Sequence, residues 1–295
     1  MRTLVALMLM AAVVVSAGCR PRSRGAVKPA ATAKPVARSA AKPASVRNAA
    51  SRAKPAKKAD KLDPALEEGL TALHKEDFDR AIVLFSQVIK RDGRHAEAYY
   101  LRASAYANKE EDEKAMADAD KALELDQNHE NAYTLRGWLY GQKKDYDHAI
   151  EDCTKAIRLN PKLADAFATR ASAYTEKKEF AKAIADYKSA VRLDPEDADS
   201  QYSLAWVLAT CPNAELRSGS SAIEHATAAC RLSKYKDAVY LDTLAAAYAE
   251  SGQFRQAIDW EQKALLAAAD LDDEERDEMR NRLEMYQQGK PYRDE

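Results

Sequence analysis

Three consecutive stretches align without gaps: AEAYYLRASAYANKEEDEKAMADADKALELDQNH (96–129), ENAYTLRGWLYGQKKDYDHAIEDCTKAIRLNPKL (130–163) and ADAFATRASAYTEKKEFAKAIADYKSAVRLDPED (164–197). Each is 34 residues long. The eighth position holds Ala103, Gly137 and Ala171, and the eleventh holds Tyr106, Tyr140 and Tyr174. Ala115, Ala149 and Ala183 share position twenty, and Ala122, Ala156 and Ala190 share position twenty-seven. The blocks close on Leu125-Asp126, Leu159-Asn160-Pro161 and Leu193-Asp194-Pro195. A constant period of this length marks an array of stacked units, none of which can bury its apolar face alone. Proline just beyond an apolar run ends a helix, and small residues at fixed positions let neighbouring segments approach closely. Only nine glycines and ten prolines occur in 295 residues, and Val/Ile/Thr-rich runs are missing. That composition excludes a β-sandwich, a β-barrel and a Gly-rich nucleotide-binding fold.

The pattern resembles the tetratricopeptide repeat. The resemblance implies a pair of antiparallel helices per unit, stacked into an all-α right-handed superhelix. The same frame fits 62–95 through Gly69, Ala81 and Val88, and 238–271 through Ala245, Tyr248, Ala257 and Ala264. Between them lies a longer copy, 198–237, which matches at Ala205, Ala222 and Ala229 and carries its extra residues in the Cys211–Ser220 turn. Six units (62–95, 96–129, 130–163, 164–197, 198–237 and 238–271) therefore fill 62–271. In the segment 272–295, Met279, Leu283 and Tyr286 predict a capping helix stopped by Gly289-Lys290-Pro291. A solenoid needs such a cap to shield its last apolar face. Acids from Asp272 to Glu275 suit the positive end of that helix.

The N-terminal part is of another kind. Residues 1–61 hold 14 Lys+Arg and one acid, Asp60; of the chain's 46 basic and 47 acidic residues, 32 and 46 remain for the rest. The near-zero net charge thus hides a basic segment of +13 joined to an acidic array of −14. Residues 1–18 read as a secretory signal: Arg2, an apolar run from Leu4 to Val15, then small residues. That run is too short for a membrane-spanning helix. Val15-Ser16-Ala17-Gly18-Cys19 resembles the bacterial lipoprotein signal, with Ser16 standing where that family usually has Leu. The resemblance implies acylation of Cys19 and an envelope location, on the outer membrane or the periplasmic face. Cleavage after Ala17 is the other reading and would give a soluble periplasmic or secreted protein. Residues 19–61 are almost wholly Ala, Lys, Arg, Pro, Ser and Val, too polar to build a core. They read as a basic tether, either a solvated spacer or a grip on anionic envelope polymer or lipid headgroups. With no aromatic residue before Phe78, no nucleic-acid partner is expected.

Catalytic signatures are lacking. His74, His95, His129, His148 and His225 show no metal-ligand spacing and read as unrelated within the repeats. No nucleophile elbow or phosphate-binding glycine loop occurs. We therefore expect no enzyme, metal or cofactor. Position seven holds Arg102, Arg136 and Arg170, and position twenty-three holds Asp118, Asp152 and Asp186, predicting three Arg–carboxylate bridges inside repeats two to four. Cys153 reads as a buried small hydrophobe. Cys211 and Cys230 are a candidate disulfide in an oxidising envelope or, equally, two reduced core thiols.

The repeat resemblance also implies a concave groove along the first helices, formed by positions two, five, nine and thirteen. Here these positions offer Tyr100, Ser104 and Asn108, then Asn131, Thr134, Trp138 and Gln142, and further on Ser172, Tyr202 and Trp206. Aromatic anchors among amides and hydroxyls suit a peptide. With Glu97, Asp165 and Asp199 on the stripe, the expected partner is a neutral or basic peptide or protein segment. The function expected is a non-enzymatic scaffold or adaptor in the cell envelope. The alternatives are a structural envelope component or an accessory subunit of a secretion or assembly machine.

Overall fold

The computed structural model describes residues 63–294; the signal, Cys19 and the basic tether lie outside the described residues. The thirteen helices of the described residues fall where the 34-residue frame puts them. The pairs are α1 Pro64–His74 with α2 Phe78–Arg91, α3 Ala96–Asn108 with α4 Asp112–Leu125, and α5 Glu130–Gln142 with α6 Tyr146–Leu159. They continue as α7 Ala164–Glu176 with α8 Phe180–Leu193, α9 Ala198–Thr210 with α10 Gly219–Leu232, and α11 Ala238–Glu250 with α12 Phe254–Ala267. The capping helix is α13 Asp273–Gln287. The fold is an all-α superhelix of six helix pairs plus a cap, and no strand occurs among the described residues.

Local chemistry starts and stops each helix. Asp63, Asp77, Asp145, Asp197 and Asp237 accept from backbone N–H groups of the first turns they precede. His95 and His129 do the same through Nδ1, accepting from Ala98 (3.1 Å) and Ala132 (3.2 Å). The two histidines thus share the last position of their repeats and cap the next first helix, correcting the reading of them as unrelated. Between the helices of a pair the chain turns through a left-handed residue at position fifteen: Glu76, Glu110, Lys144, Lys178 and Gly252. Between repeats, Asp92, Asp126, Asn160 and Asp194 accept from the N–H two residues on.

Close approach inside each pair depends on position eight. A Cβ on Gly137 would stand 2.7 Å from Cys153 Sγ, and one on Gly69 would stand 2.5 Å from the Phe85 ring. The alanines at positions twenty and twenty-seven are fully buried. In the fifth repeat the longer turn contains a 3-10 turn, Ala214–Leu216, before α10 begins.

The cap is built differently from its sequence pattern. Asp272 and Glu275 form a reciprocal capping box at its start. Met279 and Tyr286 are buried as expected, but the third fully buried side chain is Arg282, while Leu283 is only half-buried.

Candidate functional site

Three arginines organise the middle of the array. Arg102, Arg136 and Arg170 each donate Nε and Nη2 to the two oxygens of Asp118, Asp152 and Asp186, at 2.7–2.9 Å. Fork-to-fork pairing of this kind sets orientation as well as energy. The third nitrogen, Nη1, reaches back to the preceding repeat, to Ser86 (2.9 Å), Asp120 (2.7 Å) and Thr154 (3.0 Å). Aromatic rings flank each guanidinium: Tyr99 and Tyr106, Tyr133 and Tyr140, Phe167 and Tyr174, all within 6.0 Å of the ring centroid. The Asp152 hydrogen bond pushes the Arg136 guanidinium up. Burial nevertheless pushes the Asp152 carboxyl up, because desolvation outweighs the pull of Arg136. The clamp therefore specifies register more than it adds net stability.

The expected groove residues divide by burial. Tyr100, Ser104 and Thr134 are fully buried, Trp138 and Asn131 nearly so, while Asn108, Gln142 and Ser172 are half-exposed. Tyr100 packs against the His129 ring at 4.8 Å between centroids, and Trp138 belongs to the core formed with Leu135 and Leu139. Asn108 donates to the Ser104 carbonyl at 2.9 Å. His129 Nε2 lies 3.2 Å from Glu97. Three polar members, Asn108, Gln142 and Ser172, rather than the aromatic ones, thus reach the surface of the stripe, while Ser104, Thr134 and Asn131 are buried with the rings.

At the other end, the chain's own C-terminal segment lies on the stripe. Trp206 Nε1 donates to Asp294 at 3.4 Å, and its ring lies 5.8 Å from Tyr292. The Asp294 N–H donates to the Thr210 carbonyl, and Arg293 pairs with Glu250, which also holds Arg217. Burial pushes the Tyr292 hydroxyl up to about 12. Tyr202 packs on Tyr240, whose hydroxyl donates to Asp199 at 2.6 Å. The sequence carried no signal for this self-contact, which joins residues 88 positions apart.

Cys211 and Cys230 are separate free thiols, so the bridge is not formed in this structure. Cys230 Sγ donates to the Tyr240 carbonyl at 3.3 Å, and burial pushes its thiol up to about 12. Cys153 is fully buried against position eight, as expected. No group of three or more His, Cys, Asp or Glu residues that could hold a metal occurs among the described residues. Nor is any described helix long and apolar enough to cross a membrane.

Beneath the cap lies a buried charge cluster that the sequence did not reveal. Arg282 Nε donates to Asp242 at 2.8 Å, with Glu261 fully buried beside them. Both Glu261 oxygens, both Arg282 Nη atoms and the Tyr286 hydroxyl lack hydrogen-bond partners. Burial, reinforced by Asp242 and opposed by Arg282, holds the Glu261 carboxyl well above the usual carboxylate range.

Comparison with known proteins agrees with this architecture. Models of the tetratricopeptide repeat match residues 66–130 and 130–163, and a TPR-repeat model matches 171–210. No curated protein sequence matches the chain. Among solved structures, PilF of Pseudomonas aeruginosa is 17% identical with a TM-score of 0.61, over 74% of this chain and 96% of that one. A chain of the APC/C hetero-tetramer Cut9–Hcn1 is 18% identical with a TM-score of 0.64, over 74% of this chain and 42% of that one. YrrB, a TPR protein with an unusual peptide-binding site, is 24% identical with a TM-score of 0.50, over 63% of this chain and 93% of that one. At such identities the likeness concerns the fold alone.

Proposed function

Because the chain is a tetratricopeptide-repeat protein and such folds serve as protein-interaction scaffolds, we propose that it is a non-enzymatic adaptor that holds a peptide or protein segment along its first helices. The observation that carries this reading is the composition of the stripe. Positions two, five, nine and thirteen of all six repeats contain no Lys or Arg, but include Glu97, Asp165, Glu176 and Asp199 among amides and hydroxyls. Amide side chains can both donate to and accept from an extended backbone, and carboxylates favour a basic or neutral segment. Asn108, Gln142 and Ser172 are the half-exposed members through which a bound chain would be read.

A photo-crosslinking residue at Gln142 should capture the partner in cells, and one at the exposed Glu151 on α6 should not. Asn108→Ala with Gln142→Ala should reduce recovery while the melting temperature stays within about a degree, since such substitutions cost under roughly 0.5 kcal/mol. Equal capture at Gln142 and Glu151 would remove the groove from the proposal.

We also propose that the protein is exported and held on the cell envelope through acylation at Cys19. Two or more acyl chains anchor stably where one does not. Labelled fatty acid should enter the wild type but not Cys19→Ser, which should leave the membrane fraction. Soluble wild-type protein would point instead to cleavage after Ala17.

A further inference from the structure

The turn of the fifth repeat leaves open what the other turns close. In the five other repeats, the position-twelve carbonyl (Leu73, Ala107, Gly141, Thr175 and Ala249) accepts from the N–H of the left-handed residue at position fifteen, at 2.8–3.1 Å. In repeat five, position fifteen is Pro212, which has no N–H to give. The last carbonyls of a helix must then find donors elsewhere. Ala209, at position twelve, accepts from Arg293 at 3.4 Å, and the neighbouring Thr210 carbonyl accepts from the Asp294 N–H at 3.0 Å. These donors arrive on a short stretch, Lys290 to Asp294, that leaves the cap as neither helix nor strand. It crosses positions nine and thirteen of repeat five, Trp206 and Thr210. Tyr292 is buried beside the Trp206 ring with the Arg282 guanidinium 5.5 Å from its centroid, Arg293 pairs with Glu250, and Asp294 receives the Trp206 indole N–H. One buried ring, one ion pair and main-chain hydrogen bonds are the contacts by which an extended peptide is held. Arg293 and Asp294 remain half-exposed, whereas α13 beside them is fixed by the fully buried Met279 and Tyr286. The segment can therefore leave without the cap.

We propose that this notch is an exchange site for an extended segment of another protein carrying an aromatic residue, an arginine and an acid in succession, and that Tyr292–Asp294 is its built-in occupant. The chemistry of each place fixes the order. The ring sits between Trp206 and Arg282, the guanidinium faces two acceptors in the Ala209 carbonyl and Glu250, and the acid faces the indole donor. Pro212 confines the site to repeat five. A short tether supplies an effective concentration of about 1 mM, so an incoming segment with an affinity of about 100 μM is weakened roughly ten-fold. Weak segments are thus excluded, and a partner that also engages the first helices of earlier repeats displaces the occupant. The inference rests on the reading of those helices as a binding face, and names a subsite at its far end.

The test uses the full chain and a labelled peptide of residues 289–295, blocked at both ends. The peptide should bind the variant Tyr292→Ser/Arg293→Ser/Asp294→Ser about ten-fold more tightly than the wild type. Of the three tryptophan indole N–H resonances, that of Trp206 should move on binding, while those of Trp138 and Trp260 stay in place. A peptide with Arg293→Glu should not bind. If the triple variant melts early, Arg293→Glu in the chain, which sets two carboxylates against each other at Glu250, is read in the same way and should also gain affinity. Equal affinity for variant and wild type, or binding that leaves the Trp206 resonance unmoved, would overturn the proposal. No binding to either variant, with capture at Gln142 intact, overturns the exchange alone and makes Tyr292–Asp294 a fixed part of the cap. Exchange at Trp206 without capture at Gln142 upholds this site and removes the groove of repeats two to four.

Discussion

At the residue scale, the arginine clamp shows what one position does inside a periodic frame. Arg136 satisfies Asp152 of its own repeat and Asp120 of the repeat before, and its guanidinium lies 5.7 Å and 6.0 Å from two tyrosine ring centroids. Its removal leaves Asp152, largely buried, without its cation. Arg136→Ala should therefore destabilise by about 3 kcal/mol, measured by thermal melting. An unchanged melt would refute the clamp. The pairing was readable because Arg and Asp recur together at positions seven and twenty-three. The Nη1 link was not, since it crosses a repeat boundary to positions occupied by Ser86, Asp120 and Thr154, which share no charge. The same frame exposes a cost at position fifteen. Lys144 is exposed at φ +60°, a region that disfavours Cβ, whereas repeat six places Gly252 there. Lys144→Gly should raise stability by up to about 1 kcal/mol, the penalty relieved exceeding the added freedom of the unfolded chain. A drop in denaturation midpoint would show that Lys144 contributes some contact that outweighs its backbone strain.

At the scale of an element, the cap illustrates where amphipathic spacing stops being informative. Met279 and Tyr286 were readable as its buried face, but the residue between them in space is Arg282. Its partners, Asp242 and Glu261, belong to α11 and α12, about 20 to 40 positions earlier, and no local pattern announces them. Glu261 makes this element sensitive to pH. Its folded pKa is raised, so between the ordinary carboxylate value and that raised value the native state binds more protons than the unfolded chain. Stability is then full below the ordinary value and falls as pH rises through the window, by up to about 1.4 kcal/mol per pH unit. Glu261→Gln keeps the shape without the ionisation. Chemical denaturation should find the variant close to the wild type near about pH 4 and clearly more stable near about pH 8. Parallel curves across that range would show that Glu261 is ionised in the folded protein.

For the whole molecule, repetition makes stability a chain of neighbour terms rather than one central core. The order of helices and their boundaries were readable in advance because each repeat restates the same pattern, so six weak signals agree. How the core divides was not, since it depends on which large side chains meet across repeats. One continuous cluster runs from Ala65 to Leu139 through the first three repeats, and another runs from Ala171 to Tyr292 through the last three and the cap. Between them only Ala156, Leu163 and Ala166 form a small separate cluster. The clamp at this seam is also less ionic than the one before it: Arg170 reaches back to the hydroxyl of Thr154, where Arg136 reaches back to a carboxylate. Coupling between repeats is carried here by large apolar side chains, so the array opens first where their cluster is interrupted, although α6 and α7 themselves pack closely. Hydrogen exchange in increasing urea should therefore show two cooperative blocks dividing near α6 and α7. The C-terminal block should hold its protection longer, since the capping helix and the Trp206–Asp294 contact close its end. Simultaneous loss of protection from α3 through α12 would mean that the repeats communicate across the seam as strongly as within each half, and the division would have no energetic meaning.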